Sequence, residues 1–184
     1  MSDPIWFDTN AASLAVKNNP VVLADIERYR KAGRKLLLVP FSYTEIAHGN
    51  PHTKSTGPHP RAKVGTDAAL KRLGFEVDTA AGKAPIKTHS NVSYSDAVVL
   101  SQVESGASSR GIKAPEIYTS EGPQKGMVTG APHYGVRAVR PSGDWEAAQK
   151  KIPRVSPVDY PEDSNSPLSR FFKDRPFLKK LGLV

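Results

Sequence analysis

The sequence predicts an α/β fold: a three-layer α/β/α sandwich around a central, mostly parallel sheet, with an irregular C-terminal extension. Short apolar runs alternate with helical patterns over the first 150 residues, which is typical of a parallel sheet covered by helices on both faces. The apolar residues at 36–39 are continuous, as in strands that are buried on both sides. No internal repeat is apparent, and we predict one domain over 1–150.

Local signals place the elements of the first half of the chain. Pro20 suits the first turn of a helix, and Gly33 suits the position just after its end. The segment 52–63 is rich in His, Pro, Lys, Thr and Gly without periodicity, so it is predicted to be a loop. The predicted elements are a strand at 5–7, helices at 10–18 and 20–31, a strand at 35–39 and a helix at 42–48.

Glycines and polar segments also separate the elements of the second half. Gly74 ends a helix, and the polar segment 79–91 precedes an apolar helical stretch. Residues 153–167 are rich in Pro, Ser and Asp, and the following residues interleave Phe with Arg and Lys. Residues 151–184 are therefore predicted to be an irregular extension packed on the domain. The predicted elements are a helix at 66–73, a strand at 75–77, a helix at 94–104, strands at 116–119 and 136–139, and a helix at 145–151.

The bulk composition favours an anionic partner and excludes cysteine chemistry. The chain has 184 residues and a formal net charge of +8, so nucleic acid is the first candidate partner, ahead of an acidic membrane surface or protein. It contains no cysteine, which excludes disulfides, thiolate metal sites and a Cys nucleophile. No apolar run approaches the roughly 20 residues that span a bilayer, and residues 1–4 lack the features of a signal peptide.

Four acidic residues occur where predicted strands end or where the next helix begins. Ligands of parallel α/β sheets bind beyond the carboxyl ends of the strands. Carboxylates gathered there can hold a divalent metal, and a metal can activate water against a phosphodiester. Oxygen ligands suit Mg²⁺ or Mn²⁺ better than zinc. The pattern predicts a metal-dependent nuclease whose catalytic and metal-binding residues are Asp8, Glu45, Asp96 and Glu121.

Each of these acids also has a purely structural interpretation. Ser42-x-x-Glu45 and Ser93-x-x-Asp96 both match the capping box of a helix N-terminus. Asp8 can cap the helix that follows it, and Glu121 can be an ordinary loop residue. Capping predicts no relation between the acids and the strand ends, so the joint pattern favours a site.

The order of these local sequences resembles the PIN-domain nucleases over roughly residues 4–140. The resemblance implies a PIN-like fold and a metal-dependent nuclease activity. The fourth acid is Glu where the family usually has Asp, and the loop 50–63 and the segment beyond 141 are longer than in small toxin members. The matching segments are Asp8-Thr9-Asn10, Glu45 in Tyr43-Thr44-Glu45-Ile46, Asp96-Ala97, and Thr119-Ser120-Glu121.

Distinct roles are predicted for the acids and for the residues around them. Asp8 and Asp96 are the expected primary ligands, Glu45 a ligand or an orienter of the attacking water, and Glu121 a second-metal or water-mediated contact. Polar and basic residues near the acidic edge are expected to bind substrate, because phosphate contacts come from such side chains. These are Asn10, Thr119, Lys54, Arg61, Lys63, Arg137 and Arg140.

The expected function is a metal-dependent endonuclease, with RNA favoured over DNA, that acts as a toxin or as a secreted antibacterial effector domain. Its expected partners are nucleic acid and a cognate antitoxin or immunity protein. Cytoplasmic action is expected, with delivery into a target cell as part of a larger secreted protein as one setting. Two alternatives stay open: a non-catalytic PIN-like module that binds nucleic acid or protein, and a phosphatase-like hydrolase on a similar sheet.

Overall fold

Five short strands form one parallel sheet in the computed structural model of the protein, which describes residues 2–48, 66–81 and 84–152. Every pair of neighbouring strands is parallel, and the order across the sheet is β3-β2-β1-β4-β5. In the central register, Phe7 lies opposite both Leu38 and Tyr118. The strands are β1 Ile5–Phe7, β2 Leu36–Leu38, β3 Phe75–Val77, β4 Glu116–Tyr118 and β5 Arg137–Val139.

Seven α-helices within the described residues connect and follow these strands. Pro20 lies in the first turn of the second helix, and Gly33 adopts a positive φ of 72° just after its end, as predicted. Two short 3-10 turns occur at Thr79–Ala81 and Ala131–Tyr134. The helices are α1 Thr9–Val16, α2 Pro20–Lys31, α3 Pro40–His48, α4 Thr66–Arg72, α5 Tyr94–Ser109, α6 Gly126–Gly130 and α7 Trp145–Lys151.

Alternation along the strands divides the apolar core into two halves, one on each face of the sheet. Ile5 and Phe7 pack with buried residues of α1, α2, α3 and α4, whereas Trp6 packs with those of α5 and α6. All three strand residues are fully buried. Helices therefore cover both faces, which explains why β1 and β2 contain no polar residue. The predicted three-layer α/β/α sandwich is confirmed.

The structure differs from the predicted elements in two places. Helix α5 continues to Ser109, beyond the predicted end at 104, and α6 was not predicted at all. Gly106 sits inside the extra turn of α5, where Asp78 packs against it, and tertiary contact thus outweighs the low helix propensity of glycine. Residues 153–184 of the predicted extension lie outside the described residues. Among residues 2–48, 66–81 and 84–152, no helix has the length and apolar character needed to cross a membrane.

A buried carboxylate ties the chain after β5 to α2. Asp25 is 2% exposed and accepts hydrogen bonds from the Tyr118 hydroxyl at 2.7 Å and from the Ser142 amide and hydroxyl at 3.0 and 2.5 Å. Arg28 pairs with the same carboxylate at 3.1 Å. Buried charges are tolerated when they are paired and hydrogen-bonded. This network holds the segment that leaves the carboxyl end of the sheet.

Gly106→Ala is expected to destabilise the protein by roughly 1–3 kcal/mol, although alanine is the better helix former. A Cβ at this position would overlap Oδ2 of Asp78. That carboxylate cannot swing away cheaply, because Trp6 Nε1 donates to it at 2.8 Å and Arg110 at 3.0 and 2.8 Å. Urea unfolding followed by circular dichroism gives the free energy of unfolding.

The matched control is Ser108→Ala, an exposed position on the same helix. It should change the free energy of unfolding by less than about 0.5 kcal/mol. Stabilisation of the protein by Gly106→Ala would contradict the close packing of Asp78 against the helix.

Candidate active site

The candidate site lies where the strand order reverses direction in the sheet. From β1 the chain moves outward to β2 and β3, and then returns to place β4 on the other side of β1. Asp8 directly follows β1 and Thr119 directly follows β4, and the Asp8 amide donates to the Tyr118 carbonyl at 3.0 Å. Such switch points leave a crevice at the carboxyl edge, where ligands of open α/β sheets bind.

Asp8 is held by two hydrogen bonds at the bottom of this crevice. It is the N-cap of α1, and its Oδ1 accepts from the Ala11 amide at 2.6 Å. Its Oδ2 accepts from the hydroxyl of Thr119, which is fully buried. The capping interpretation of Asp8 is therefore confirmed. Capping uses one oxygen, and the other oxygen joins β1 to β4.

Burial raises the pKa of Asp8 to about 7, although the hydrogen bonds from Thr119 and Ala11 favour the charged form. The negative charges of Glu121 and Asp96 raise this pKa further. Asp8 is only 2% exposed, so water does little to offset the repulsion. Two of the predicted acids thus act electrostatically on a third, Asp8, at the switch point. We call Asp8, Asp96 and Glu121 the carboxylate site.

Asp96 enters the carboxylate site from the first turn of α5. The N-cap Ser93 accepts from the Asp96 amide at 3.1 Å and donates its hydroxyl proton to Asp96 Oδ2 at 2.7 Å. Capping by Ser93 is confirmed, and the same contact orients the carboxylate. A Cβ on Gly126 would lie 2.5 Å from Oδ2 of Asp96, so the start of α6 leaves room for the carboxylate only because residue 126 is glycine.

Glu121 is anchored at both its backbone and its side chain. Its amide donates to Thr119 Oγ1 at 3.1 Å, and its Oε2 accepts from the Met127 amide at 2.9 Å. Arg140 Nε donates to the Glu121 carbonyl at 2.8 Å. The Thr119 hydroxyl therefore connects Asp8 with Glu121, and Glu121 is a fixed residue rather than an ordinary loop acid.

Glu45 joins this region through the first residue of α1. Thr9 Oγ1 donates to Glu45 Oε2 at 2.5 Å. Helix α3 begins at Pro40, so Ser42 lies inside the helix and the proposed capping box with Glu45 is wrong. The Ser42 hydroxyl is buried without a hydrogen-bond partner among the described residues.

The predicted substrate-binding residues are distributed unevenly. Arg140 is exposed beside Glu121, and Asn10 is exposed in the first turn of α1. Arg137 begins β5 and pairs with Glu116, which begins β4. The expectation that Arg137 lies near the acidic edge is therefore wrong, because parallel strands begin at the opposite edge. The remaining predictions, Lys54, Arg61 and Lys63, lie outside the described residues.

The carboxylate site has few oxygen donors for a divalent cation. Across residues 2–48, 66–81 and 84–152, no group of three or more His, Asp or Glu side chains is close enough together to hold a metal ion. Mg²⁺ commonly uses one or two carboxylates and keeps several waters. Asp8 and Asp96 are the two carboxylates that could meet that requirement, and a cation would relieve the repulsion that Asp96 and Glu121 add to the larger effect of burial on the pKa of Asp8.

Two contributors to the site were not predicted from sequence. Ser93 was recognised only as a helix cap, and Gly126 was not singled out among the glycines of its loop. The Ser93 contact with Asp96 is local, whereas the role of Gly126 depends on the approach of α6 to α5, which no local pattern reveals.

Comparison with known proteins adds no relative: no protein-family model, no curated protein and no solved structure matches the chain. The resemblance to PIN-domain nucleases stays a prediction that rests on the residues named above.

Asp8→Asn is expected to remove a pH dependence of stability. With its pKa raised, Asp8 is protonated in the folded protein and ionised in the unfolded chain between about pH 4 and about pH 7. The folded state therefore binds more protons, and the free energy of unfolding falls as the pH rises through this window, by up to about 4 kcal/mol. Urea unfolding of wild type and variant, in chelator at several pH values, measures this difference.

Asp144→Asn is the matched control. Asp144 is also a helix N-cap that accepts an amide proton, from Ala147 at 2.9 Å, but it is exposed. Asp144→Asn shows how much stability the loss of an N-cap carboxylate alone costs, and this cost is subtracted from that of Asp8→Asn. Parallel pH profiles for wild type and Asp8→Asn would contradict the buried, charge-repelled state of Asp8.

Proposed function

We propose that the protein is a metal-dependent endonuclease of PIN-like fold, which hydrolyses phosphodiester bonds in nucleic acid, with RNA favoured over DNA. The observation that carries this proposal is the buried Asp8 at the switch point, whose pKa is raised by burial and by the neighbouring Asp96 and Glu121. Strongly perturbed carboxylates in a crevice are typical of functional sites. A net charge of +8 supports an anionic substrate.

Asp8 and Asp96 are the residues that would hold Mg²⁺ or Mn²⁺. Ser93 donates to one oxygen of Asp96, whereas Ala11 and Thr119 each donate to one of the two oxygens of Asp8. A carboxylate oxygen has two lone pairs, so these bonds are compatible with ligation. The cation would lower the pKa of a bound water and neutralise charge on the phosphate.

The surrounding residues prepare these side chains for that task. Hydrogen bonds from the Thr119 hydroxyl and the Ala11 amide fix the orientation of the Asp8 carboxylate and stabilise its ionised form. Thr9 donates to Glu45, which would orient the attacking water. Glu121 would make a water-mediated contact from its anchored position. Preorganised groups of this kind need little rearrangement during the reaction.

The proposed biological setting is a toxin, either half of a toxin–antitoxin pair or the effector module of a larger secreted protein, acting in the cytoplasm of the affected cell. The resemblance to PIN-domain nucleases supports it. The partner would be an antitoxin or immunity protein that covers the carboxylate site and the basic residues beside it.

A non-catalytic PIN-like binding module is the second candidate, and one observation favours it. Each predicted acid already accepts a hydrogen bond within the fold. Ala11 and Thr119 donate to Asp8. The other donors are Thr9 to Glu45, Ser93 to Asp96 and Met127 to Glu121. Isothermal titration with Mn²⁺ separates the two candidates. A nuclease should bind the ion and lose that binding in Asp8→Ala, whereas a purely structural cluster should show no binding in either protein.

Asp8→Asn and Asp96→Asn should each reduce cleavage by about a hundredfold or more, because even loss of an outer-sphere partner of a metal ligand typically costs 10–100-fold. The assay incubates purified protein with tRNA, rRNA and plasmid, in Mn²⁺ or in chelator. Asp144→Asn should cleave like the wild type, since this N-cap lies on α7, away from the site. Undiminished cleavage by a folded Asp8→Asn protein would refute the proposed mechanism.

Gly126→Ala should lower cleavage by about 10–100-fold while changing the free energy of unfolding by less than about 1 kcal/mol. The added methyl group would meet Asp96 Oδ2 at 2.5 Å and turn that carboxylate out of place. Gly122→Ala is the control, because its Cβ would meet only Lys125 Cγ, at 3.8 Å. Equal cleavage rates for the two variants would show that the position of Asp96 is unimportant.

A further inference from the structure

We propose that a groove lined by four arginines along β5 binds the phosphodiester backbone of single-stranded RNA beyond the point of cleavage. This inference rests on the proposed nuclease function and extends it to the path of the substrate. The groove has a volume of about 490 Å³. We call it the arginine groove, and the residues that define it are Arg28, Tyr29, Arg34, Glu116, Arg137 and Arg140.

The arginine groove begins at the carboxylate site and ends at the opposite edge of the sheet. Arg140 follows β5 and donates from Nε to the Glu121 carbonyl at 2.8 Å. This bond uses one of the five N–H donors of the guanidinium. Arg137 begins the same strand, three residues earlier, which corresponds to about 10 Å along an extended chain. The groove therefore extends along β5, and the bond from Arg140 to Glu121 connects its end with the carboxylate site.

Internal contacts hold the guanidinium groups in place before any ligand arrives. Glu116 is 9% exposed, and its two oxygens accept separately from Arg34, at 2.6 Å, and from Arg137. The Arg28 and Arg34 guanidinium carbons lie 5.1 and 5.3 Å from the centre of the Tyr29 ring. Such cation–π contacts and shared ion pairs reduce the entropy lost when the side chains bind a ligand.

Positive charge exceeds negative charge in the arginine groove. Four arginines face one carboxylate in its lining, and Asp25 beneath pairs with Arg28. The side chains of Arg28 and Arg137 are 58% and 75% exposed, so their cationic ends remain accessible to a ligand. Guanidinium groups bind phosphate oxygens through paired N–H donors. This surplus, spread over the length of β5 and the residues at and after the end of α2, fits a chain of phosphates better than a single anion.

Continuity with the carboxylate site favours RNA over an acidic protein segment. A strand whose scissile phosphate reached Asp8 and Asp96 would need a cationic path for its remaining phosphates, and the arginine groove starts beside Glu121. The acids repel the carboxylates of a peptide and the phosphates of RNA alike, so the choice of RNA rests on the proposed nuclease function of the neighbouring site.

The test measures binding of RNA to the Asp8→Asn protein, which separates binding from cleavage. Fluorescence anisotropy in chelator gives the affinity for labelled single-stranded RNAs of four and of twelve nucleotides over a range of salt concentrations. Arg137→Ala should weaken binding of the longer RNA several-fold and reduce the slope of log K against log salt by about 0.7, the value for one phosphate contact in a single strand. The four-nucleotide RNA has fewer phosphates to place in the groove, so it should bind more weakly than the longer RNA and show a smaller salt slope.

Arg72→Ala in the same background is the control. It removes the same charge from an exposed position on α4, just before β3 at the other side of the sheet. If Arg137→Ala and Arg72→Ala lost the same affinity for the longer RNA, the loss would come from net charge alone, and the proposal would be overturned. So would an Arg137→Ala protein that binds the longer RNA normally but loses affinity for a polyglutamate peptide, because the groove would then accept acidic protein.

Cleavage measured separately distinguishes failure of this proposal from failure of the proposed function. A wild-type protein that cleaves RNA while Arg137→Ala leaves binding unchanged would overturn the groove and leave the nuclease intact. A wild-type protein that cleaves nothing, yet binds RNA through Arg137, would overturn the nuclease and retain the groove as an RNA-binding surface.

Discussion

The hydrogen bond between Asp8 and Thr119 is the interaction on which the rest of the site depends. It joins the residue after β1 to the residue after β4 across the point where the sheet changes direction. The same carboxylate begins α1, and the same hydroxyl accepts the amide of Glu121. One buried pair thus sets the direction of a helix, the spacing of two strands and the position of a second acid.

Structural and chemical roles coincide in this pair and do not compete. An N-cap needs a side-chain oxygen near a helix terminus, and the carboxyl edge of a parallel sheet is where such helices begin. Placing the cap at a switch point adds burial and the charges of Asp96 and Glu121, which raise the pKa of Asp8. A fold that needed Asp8 only as a cap would gain nothing from bringing those acids near it. Burial raises the pKa of Asp8 most and the two neighbouring charges add to it, so a cation bound there would offset both effects.

Opposite charges occupy neighbouring regions of the same surface. The carboxylate site lies at the switch point, and the arginine groove runs from Arg140 along β5 to Arg137. Ion pairs with Glu116 hold Arg34 and Arg137 in place. Asp25 holds the chain after β5 against α2 by accepting a hydrogen bond from Ser142. A polyanion attracted by the groove would be led towards acids that repel it unless a cation is bound. The two regions together therefore favour substrates that carry phosphate and bind with metal.

The sequence by itself determined the alternation of strands and helices, the caps of α1 and α5, and the four acids near the carboxyl edge, because these depend on apolar periodicity and on residues close in the chain. It did not determine the end of α5 or the existence of α6, since Asp78 and Asp96 meet Gly106 and Gly126 only after the layers pack. It also misplaced Arg137, because a cation at the start of a strand and one at its end look alike until the direction of the strand assigns each to an edge. Only the tertiary structure decided which charges share a surface, because that requires contacts between residues distant along the chain.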